Sequence, residues 1–292
     1  MIRRFMTAVL NAQGGWSEPL GEWTQKRILL PVFHAVQPLK NFLHGTWLGH
    51  SLHAAITDVP IGAFTAAIIL DIADVRPGAD IAIAVGILGM LAAALAGWAD
   101  YADTDVKPQR GYATVHQLLM LIALVLYVVS LAMRLGSPAA ASRALPIALS
   151  WIGYVIIAVA AYVGGEVVYG LGNMVDRHAF RSFGSKWQPL ELPNVADNTP
   201  AKAKAGGQTL LVVRRGERVY GMHDVCAHAG CNLSEGKVVG DTIECPCHGS
   251  RYRLEDGHVL QGPSTFDQPV YEVRRAGDGR FEARRAGGGP GE

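Results

Sequence analysis

Cys226-Ala227-His228-Ala229-Gly230-Cys231 and Cys245-Pro246-Cys247-His248-Gly249-Ser250 hold all four cysteines of the chain and two of its ten histidines. Sixteen residues separate His228 from Cys245. Two short Cys/His pairs on neighbouring loops can offer four ligands to one site. Four cysteines in a small secreted chain ordinarily pair as disulfides. Here the histidines interleave with them at ligand spacing, which favours a metal. The residues alone leave two metals open. Two thiolates suit one iron and two neutral imidazoles a second, as in a mixed-ligand iron–sulfur centre. A tetrad of two cysteines and two histidines equally suits a single zinc ion.

Around these boxes the chain reads as β structure. From Trp187 onward short apolar or β-branched runs alternate with turns: Leu210–Arg214, Arg218–Tyr220, Thr242–Glu244, Ser250–Tyr252, Val270–Val273 and Arg280–Ala283. Gly206-Gly207, Gly216, Gly240-Asp241, Asp256-Gly257 and Asp278-Gly279 supply the turns. This is the pattern of a small antiparallel β domain over 187–285, closed by a flexible tail, 286–292.

Upstream the composition changes. The whole chain of 292 residues is 50% hydrophobic and only 17% charged, against about a quarter charged in a soluble domain. Residues 54–172 are apolar, and most Arg, Glu and Asp fall in 176–285. Four apolar runs, Ala54–Ala73, Ala79–Ala99, Tyr112–Leu135 and Pro146–Leu171, are each roughly 20 residues, the length that crosses a ~30 Å hydrocarbon core. Arg76-Pro77-Gly78, Lys107-Pro108-Gln109-Arg110-Gly111 and Gly136-Ser137-Pro138 break them. Small residues such as Gly86, Gly89 and Gly97 permit close helix approach in lipid. The expected fold is therefore a four-span helical transmembrane bundle over 46–175, a polar linker at 176–186, and the β domain. Residues 1–45 carry Pro31 and Pro38, which break any long helix. They are expected to form short helices lying at the membrane surface. No continuous apolar segment with a cleavage site opens the chain, so no signal peptide is read. A net charge of +1 gives no reason to expect nucleic acid.

Four spans place both termini on one side. That side carries Lys40, Lys107, Arg110, Arg177, Arg181 and Lys186, and the other carries Arg76, Arg134 and Arg143. The positive-inside rule puts both termini, and the β domain, in the cytoplasm of a cell whose inner membrane the bundle spans. Trp47, Trp98, Tyr101 and Tyr112 fit an aromatic belt. His50, His53, Asp58, Asp100, Asp103, His116 and Glu166 all fall on the side of the β domain. His50, Asp58, Asp100 and Asp103 are expected at the interface, bonded to water and headgroups. His53, His116 and Glu166 lie deeper or beside small residues. Ionisable groups at membrane depth are costly and mark function by default. Histidines on facing helices are also how bundles build haem and metal sites. A b-type haem on His53 and His116, or a quinol site using His and Glu as proton acceptors, is the functional expectation for these three.

The two boxes, with Gly249 and the later Gly262-Pro263, resemble the Rieske [2Fe–2S] family over Trp187–Arg285, in a β-sandwich of Rieske type. The resemblance decides against zinc. It implies that Cys226 and Cys245 bind the inner iron and that His228 and His248 bind the outer, solvent-facing iron. It also implies a disulfide between Cys231 and Cys247, which sits uneasily with a reducing cytoplasm. Ser250 and Tyr252 match hydroxyls that hydrogen-bond cluster sulfur and a ligand thiolate in the cytochrome bc type. Such donors raise the potential. Ala229 stands where those proteins carry a bulky apolar shield, which implies a more open cluster.

Leu48–His53, Thr57–Ala63, Val163–Tyr169 and Val175–Phe180 resemble a family of bacterial four-helix membrane domains over about 45–180. That family implies architecture and no chemistry. The function expected is one-electron transfer at the membrane, between a quinol, a membrane haem or a reductase and an acceptor. A Rieske subunit of a cytochrome bc-like complex and a redox-sensing membrane module are the alternatives. A terminal oxygenase is not expected, because the 44 residues after His248 are too few for a mononuclear iron domain.

Overall fold

The computed structural model describes residues 2–136, 142–179, 186–277 and 279–286. Ser137-Pro138, Arg181, Asp278 and the tail from 287, all named above, lie outside the described residues. Two compact units emerge: Met1–Leu43 with Ser51–Asn173, and His44–His50 with Met174–Glu292.

The second unit is antiparallel β throughout. Its strands are β1 (Gln188–Glu191), β2 (Pro200–Ala205), β3 (Gln208–Arg215), β4 (Arg218–His223), β5 (Lys237–Val239), β6 (Thr242–Glu244), β7 (Arg251–Arg253), β8 (Val259–Gln261), β9 (Val270–Arg275) and β10 (Phe281–Arg285). Six of them close into a barrel in the order β1-β10-β9-β4-β3-β2, and β5-β6-β7-β8 form a separate meander. Closure leaves the larger sheet with no free edge. The expected runs all appear as strands, while β1 and β2 carry little β signal in their residue types and β5 and β8, of three residues each, are too short to show a pattern. In β2, Pro200-Ala201-Lys202-Ala203-Lys204-Ala205, the preference comes from packing. Ala203 and Ala205 are buried on the barrel side, and Lys202 and Lys204, which alternate with them, face out.

The first unit is helical. α1 (Ile2–Thr24) runs through a π-helical turn, Gln25–Leu29, into α2 (Leu30–Ala35), and α3 (Gln37–His44) follows. α1, at 23 residues, is longer than the short helices expected, whereas α2 and α3 are short and the break between them at Val36 falls just ahead of Pro38. Pro31 falls just after the π-helical turn of this continuous helix, and Pro38 occupies the second position of α3, where the missing N–H is not needed. α1 instead lies along α7 (Lys107–Gly136). Tyr112 donates to Asn11 at 3.0 Å, and a Cβ on Gly111 would sit 3.0 Å from Ser17 Oγ.

Four segments are long and apolar enough to cross a bilayer. They are α4 (Leu52–Ile56) with α5 (Asp58–Ile72), α6 (Arg76–Ala102), α7, and α8 (Ala144–Gly165) with its π-helical end Glu166–Gly170. Between them Phe64 stacks on Tyr127, with ring centroids 3.7 Å apart. Gly86 faces the Phe64 ring and Gly153 the Tyr127 ring, so the absence of side chains there lets the helices close on the aromatic pair.

Charges at both ends of the bundle are buried in pairs. Arg134 Nη1 and Nη2 donate to the two oxygens of Asp71, both at 2.7 Å, and its Nε to Ser130 at 3.1 Å. Arg143, just ahead of α8, donates to both oxygens of Asp80 at 2.8 and 2.9 Å. At the other end Lys40 pairs with Asp103 at 2.7 Å, and Ser51 donates to Asp100 at 2.6 Å. Asp100 and Asp103 therefore do not sit among water and headgroups as expected. An ionised carboxylate withdrawn from water needs partners within the protein, and these helices supply them.

Arg134→Met leaves Asp71 without its bidentate partner. It is expected to destabilise the bundle by about 3–5 kcal/mol, the usual effect of breaking a buried pair from one side. Pairing it with Asp71→Leu restores much of the loss. Thermal unfolding of the two variants in detergent, followed by circular dichroism, checks both outcomes.

Candidate metal centre

Each box folds into the same turn. In the first, Gly230 N donates to Cys226 O at 3.0 Å and Cys226 N to Cys231 O at 2.8 Å. In the second, Gly249 N donates to Cys245 O at 3.1 Å and Cys245 N to Ser250 O at 2.8 Å. Gly230 and Gly249 close these turns at φ +89° and +76°, a backbone region that side chains with a Cβ rarely adopt. The first turn follows β4, and the second is the tip of the β6–β7 hairpin. A third loop, Gly262–Phe266 between β8 and β9, is tied to the second where Ser264 N donates to Ser250 Oγ at 3.0 Å.

The turns bring the four candidate ligands together. The rings of His228 and His248 have centroids 4.8 Å apart and lie nearly perpendicular, at 84°. Cys226 and Cys245 are buried and hydrogen-bonded to each other through sulfur. The interaction between the two thiols lowers the pKa of Cys245, while the same interaction and burial raise that of Cys226. The thiolate is the form that binds iron. Cys231 and Cys247 are joined as a disulfide, as the family resemblance implied. Their sulfurs lie within 4.8 Å of that of Cys245, but the bond removes both from ligation and leaves Cys226 and Cys245 as the free cysteines. Two thiols, two imidazoles and a cross-link between their loops are a donor set that fits a [2Fe–2S] cluster with mixed ligands.

Tyr252 is fully buried on β7, with Oη 3.2 Å from Cys226 Sγ. Burial pushes its phenol well above the usual range, and the neighbouring Cys226 adds to the rise. The hydroxyl therefore stays protonated and donates to sulfur. Ser250 is also fully buried; its oxygen accepts from Ser264, which leaves its own proton to donate.

Residue types gave no hint of Gln268. Buried on the chain leading into β9, it accepts from Ala227 N at 3.0 Å and donates to the carbonyls of His223 and Val225 at 2.6 and 2.8 Å. Three bonds from one amide fix the approach to the first box. Gly257 makes room for this segment: Gln268 N donates to Gly257 O at 2.8 Å, and a Cβ on Gly257 would collide with the Gln268 backbone.

The two histidines differ in access. His228 is 8% exposed, whereas His248 is half-buried. Met174 and Val175 line a small cleft beside His228 together with Pro263 and Phe266, and Arg177 Nε donates to His228 O at 3.4 Å. Ala229, at the tip of the first turn, is exposed.

Of the three residues singled out in the helical unit, the fold brings two together. His53 on α4 and His116 on α7 have ring centroids 6.2 Å apart. Glu166 instead pairs with Arg3 at 3.4 Å and accepts from Tyr162 at 3.5 Å.

Comparison with known proteins agrees with both halves. Residues 187–272 match the Rieske [2Fe-2S] domain, and residues 49–177 match a predicted membrane protein family, DUF2231. The anthranilate 1,2-dioxygenase ferredoxin subunit of Burkholderia cepacia is 33% identical over 99 residues, which is 34% of this chain and 91% of the relative. The chloroplastic cytochrome b6-f complex iron-sulfur subunit of Oryza sativa subsp. japonica is 35% identical over 108 residues, covering 35% of this chain and 41% of the relative. Among solved structures, a complex of reduced oxygenase and oxidized ferredoxin in carbazole 1,9a-dioxygenase aligns at 29% identity and a TM-score of 0.31. That alignment covers 35% of this chain and 94% of the other. The chain thus belongs to the Rieske [2Fe-2S] family through its β domain, joined to a DUF2231-type membrane domain, and its chemistry is electron transfer.

Proposed function

We propose that this chain is a membrane-bound one-electron carrier, taking electrons from a quinol, a membrane haem or a reductase and passing them to a separate acceptor. The observation that carries the reading is the convergence of Cys226, Cys245, His228 and His248 on two matched turns with the Tyr252 hydroxyl on a ligand sulfur. Cys226 and Cys245 would hold the inner iron, and His228 and His248 the outer one. The cluster supplies the one-electron couple. The protein's part is to fix the ligands, to direct two hydroxyl donors at sulfur, and to leave a histidine edge for electron exchange. With His228 covered by Met174, Val175 and Arg177, that edge is His248.

Electron paramagnetic resonance (EPR) of the purified chain tests this. The reduced protein should give the rhombic signal of a Rieske cluster, and His228→Ala and His248→Ala should each abolish it while the β domain stays folded. A signal that survives both changes would remove the ligand assignment.

A second reading has a specific observation behind it. The Cys231–Cys247 disulfide, Tyr252 and Ser250 together are the features that the bc-type resemblance implied, which supports a raised potential and a place as the Rieske subunit of a cytochrome bc-like complex. Removing the Tyr252 hydroxyl deletes one hydrogen bond to a charged acceptor, worth about 1.5–3 kcal/mol in total. The part that strengthens on reduction sets the shift, and 1.4 kcal/mol corresponds to about 59 mV for one electron. Tyr252→Phe should therefore lower the midpoint potential by on the order of 60 mV with the EPR line shape retained, as read by protein-film voltammetry.

For orientation, the excess of Lys and Arg on the side of the termini supports a cytoplasmic β domain in a bacterial inner membrane. The disulfide pulls the other way. Protease added to right-side-out vesicles should leave the β domain intact and cut it only after the membrane is opened. Cleavage in closed vesicles would invert the topology.

A further inference from the structure

We propose that the helical bundle holds one haem between His53 and His116, each ligating the iron through Nε2. The inference deepens the electron-transfer reading above and takes its purpose from it, but its geometry stands independently.

The first observation concerns the proton on each ring. His53 Nδ1 lies 2.8 Å from Ala93 O on α6, and His116 Nδ1 lies 2.8 Å from Ala160 O on α8. A backbone carbonyl only accepts, so Nδ1 must carry the hydrogen in both. The neutral tautomer then leaves the lone pair on Nε2. An imidazole anchored to a backbone carbonyl through one nitrogen, with the other available, is the arrangement of metal-ligating histidines, because the outer bond fixes the ring and raises its basicity. The same arrangement occurs twice, on two different helices.

Two glycines accommodate the rings. A Cβ on Gly97 of α6 would come 2.9 Å from His53 Nδ1, and one on Gly164 of α8 would come 3.1 Å from His116 Cε1. Any larger residue at either position would push an imidazole off its neighbouring helix.

The separation selects the coordination. The two rings have centroids 6.2 Å apart at an interplanar angle of 83°. Two metal–nitrogen bonds of about 2.0–2.1 Å, extended by about 1.1 Å from each nitrogen to its ring centre, place trans imidazole centroids roughly 6.3 Å apart. Ligands at a tetrahedral angle would bring the centres closer. The spacing is that of opposite axial ligands on one iron.

Charge selects haem over a bare ion. Two neutral imidazoles bring no negative charge, and a divalent ion among apolar helices would go uncompensated. Among the described residues, the only cluster of three His, Cys, Asp or Glu donors is that of Cys231, Cys245 and Cys247, in the other unit, so no third protein donor joins the histidine pair. Glu166, the third residue singled out with these histidines, is paired with Arg3. A porphyrin dianion carries its own compensation for ferrous iron and offers a flat apolar body to apolar helices. Axial histidine is a recognised means of holding it.

The full chain, purified in detergent from cells supplied with a haem precursor, tests the proposal by optical spectroscopy and pyridine haemochrome assay, with EPR on the same sample. One haem per chain is expected, with a low-spin bis-imidazole signature in near-infrared magnetic circular dichroism. His53→Ala and His116→Ala should each reduce haem content at least tenfold, while His50→Ala leaves it unchanged. Because an alanine variant could lose haem by failing to fold, His53→Met is the companion: it keeps a ligand and should retain haem with an altered spectrum. Preparations with a full Rieske signal and no haem would overturn the haem while sparing the function proposed above. Haem undiminished in both alanine variants, or a metal ion found by elemental analysis in place of haem, would also overturn it. Haem present with no Rieske signal would instead count against the function proposed above.

Discussion

The paired backbone hydrogen bonds that close each ligand turn are the constraint on which the β domain depends. Four donors from two loops converge only if each loop holds one conformation, and neither loop is long enough to pack a core of its own. Each bond contributes about 0.5–1.5 kcal/mol net, but an unmade one in a buried loop would cost more. The remaining features follow from that requirement. Glycine stands at the two positive-φ positions, the Gln268 amide spans three backbone groups, Ser264 ties the third loop to Ser250, and the Cys231–Cys247 bond fixes one turn to the other. The barrel beneath is a platform for holding these turns still.

What the sequence made legible divides along the same line. The ligand boxes were visible because metal chemistry restricts residue type and spacing at once. The spans were visible because lipid demands a long apolar run. β2 was not, because Ala and Lys have little strand preference, and its place comes from pairing with β1 and β3 on either side of it. Gln268 was not, because one glutamine among polar residues carries no pattern, and its role exists only once β9 lies beside the first box. Pro31 does not break the helix of the first 45 residues, because a π-helical turn just ahead of it carries the helix through, whereas the break at Val36 falls where Pro38 led one to expect it. The pairing of Asp100 and Asp103 was hidden for the same reason as Gln268: Ser51 and Lys40 reach them only through the fold.

The bundle shows two ways of placing polar groups among apolar helices. At one end Arg134 and Arg143 are neutralised by Asp71 and Asp80, so the charges are spent on one another and hold four helices in register. His53 and His116 follow the other course. In each, Nδ1 donates to a main-chain carbonyl of a neighbouring helix. An ion pair of the first kind has no coordinating capacity left. A neutral imidazole bonded on one side keeps a lone pair on the other, which is why the histidines, and not the more numerous charged residues, are where ligand chemistry is to be sought.

Both candidate centres share a further property that bears on electron transfer. In a preorganised site the dipoles and donors are already in place and need little rearrangement when charge changes. The cluster turns are cross-linked, and Tyr252 is held on a strand with its hydroxyl against sulfur. The two bundle histidines are held against helix backbones at Gly97 and Gly164, with no flexible side chain between ring and helix. Rigidity of this kind has a physical consequence for redox function: the energy that would be consumed in moving ligands is small, so the transfer rate is set by distance and driving force. On the ligation proposed above, the half-exposed His248 then matters more than any loop motion, because it is where a partner would bring its own centre closest to the cluster.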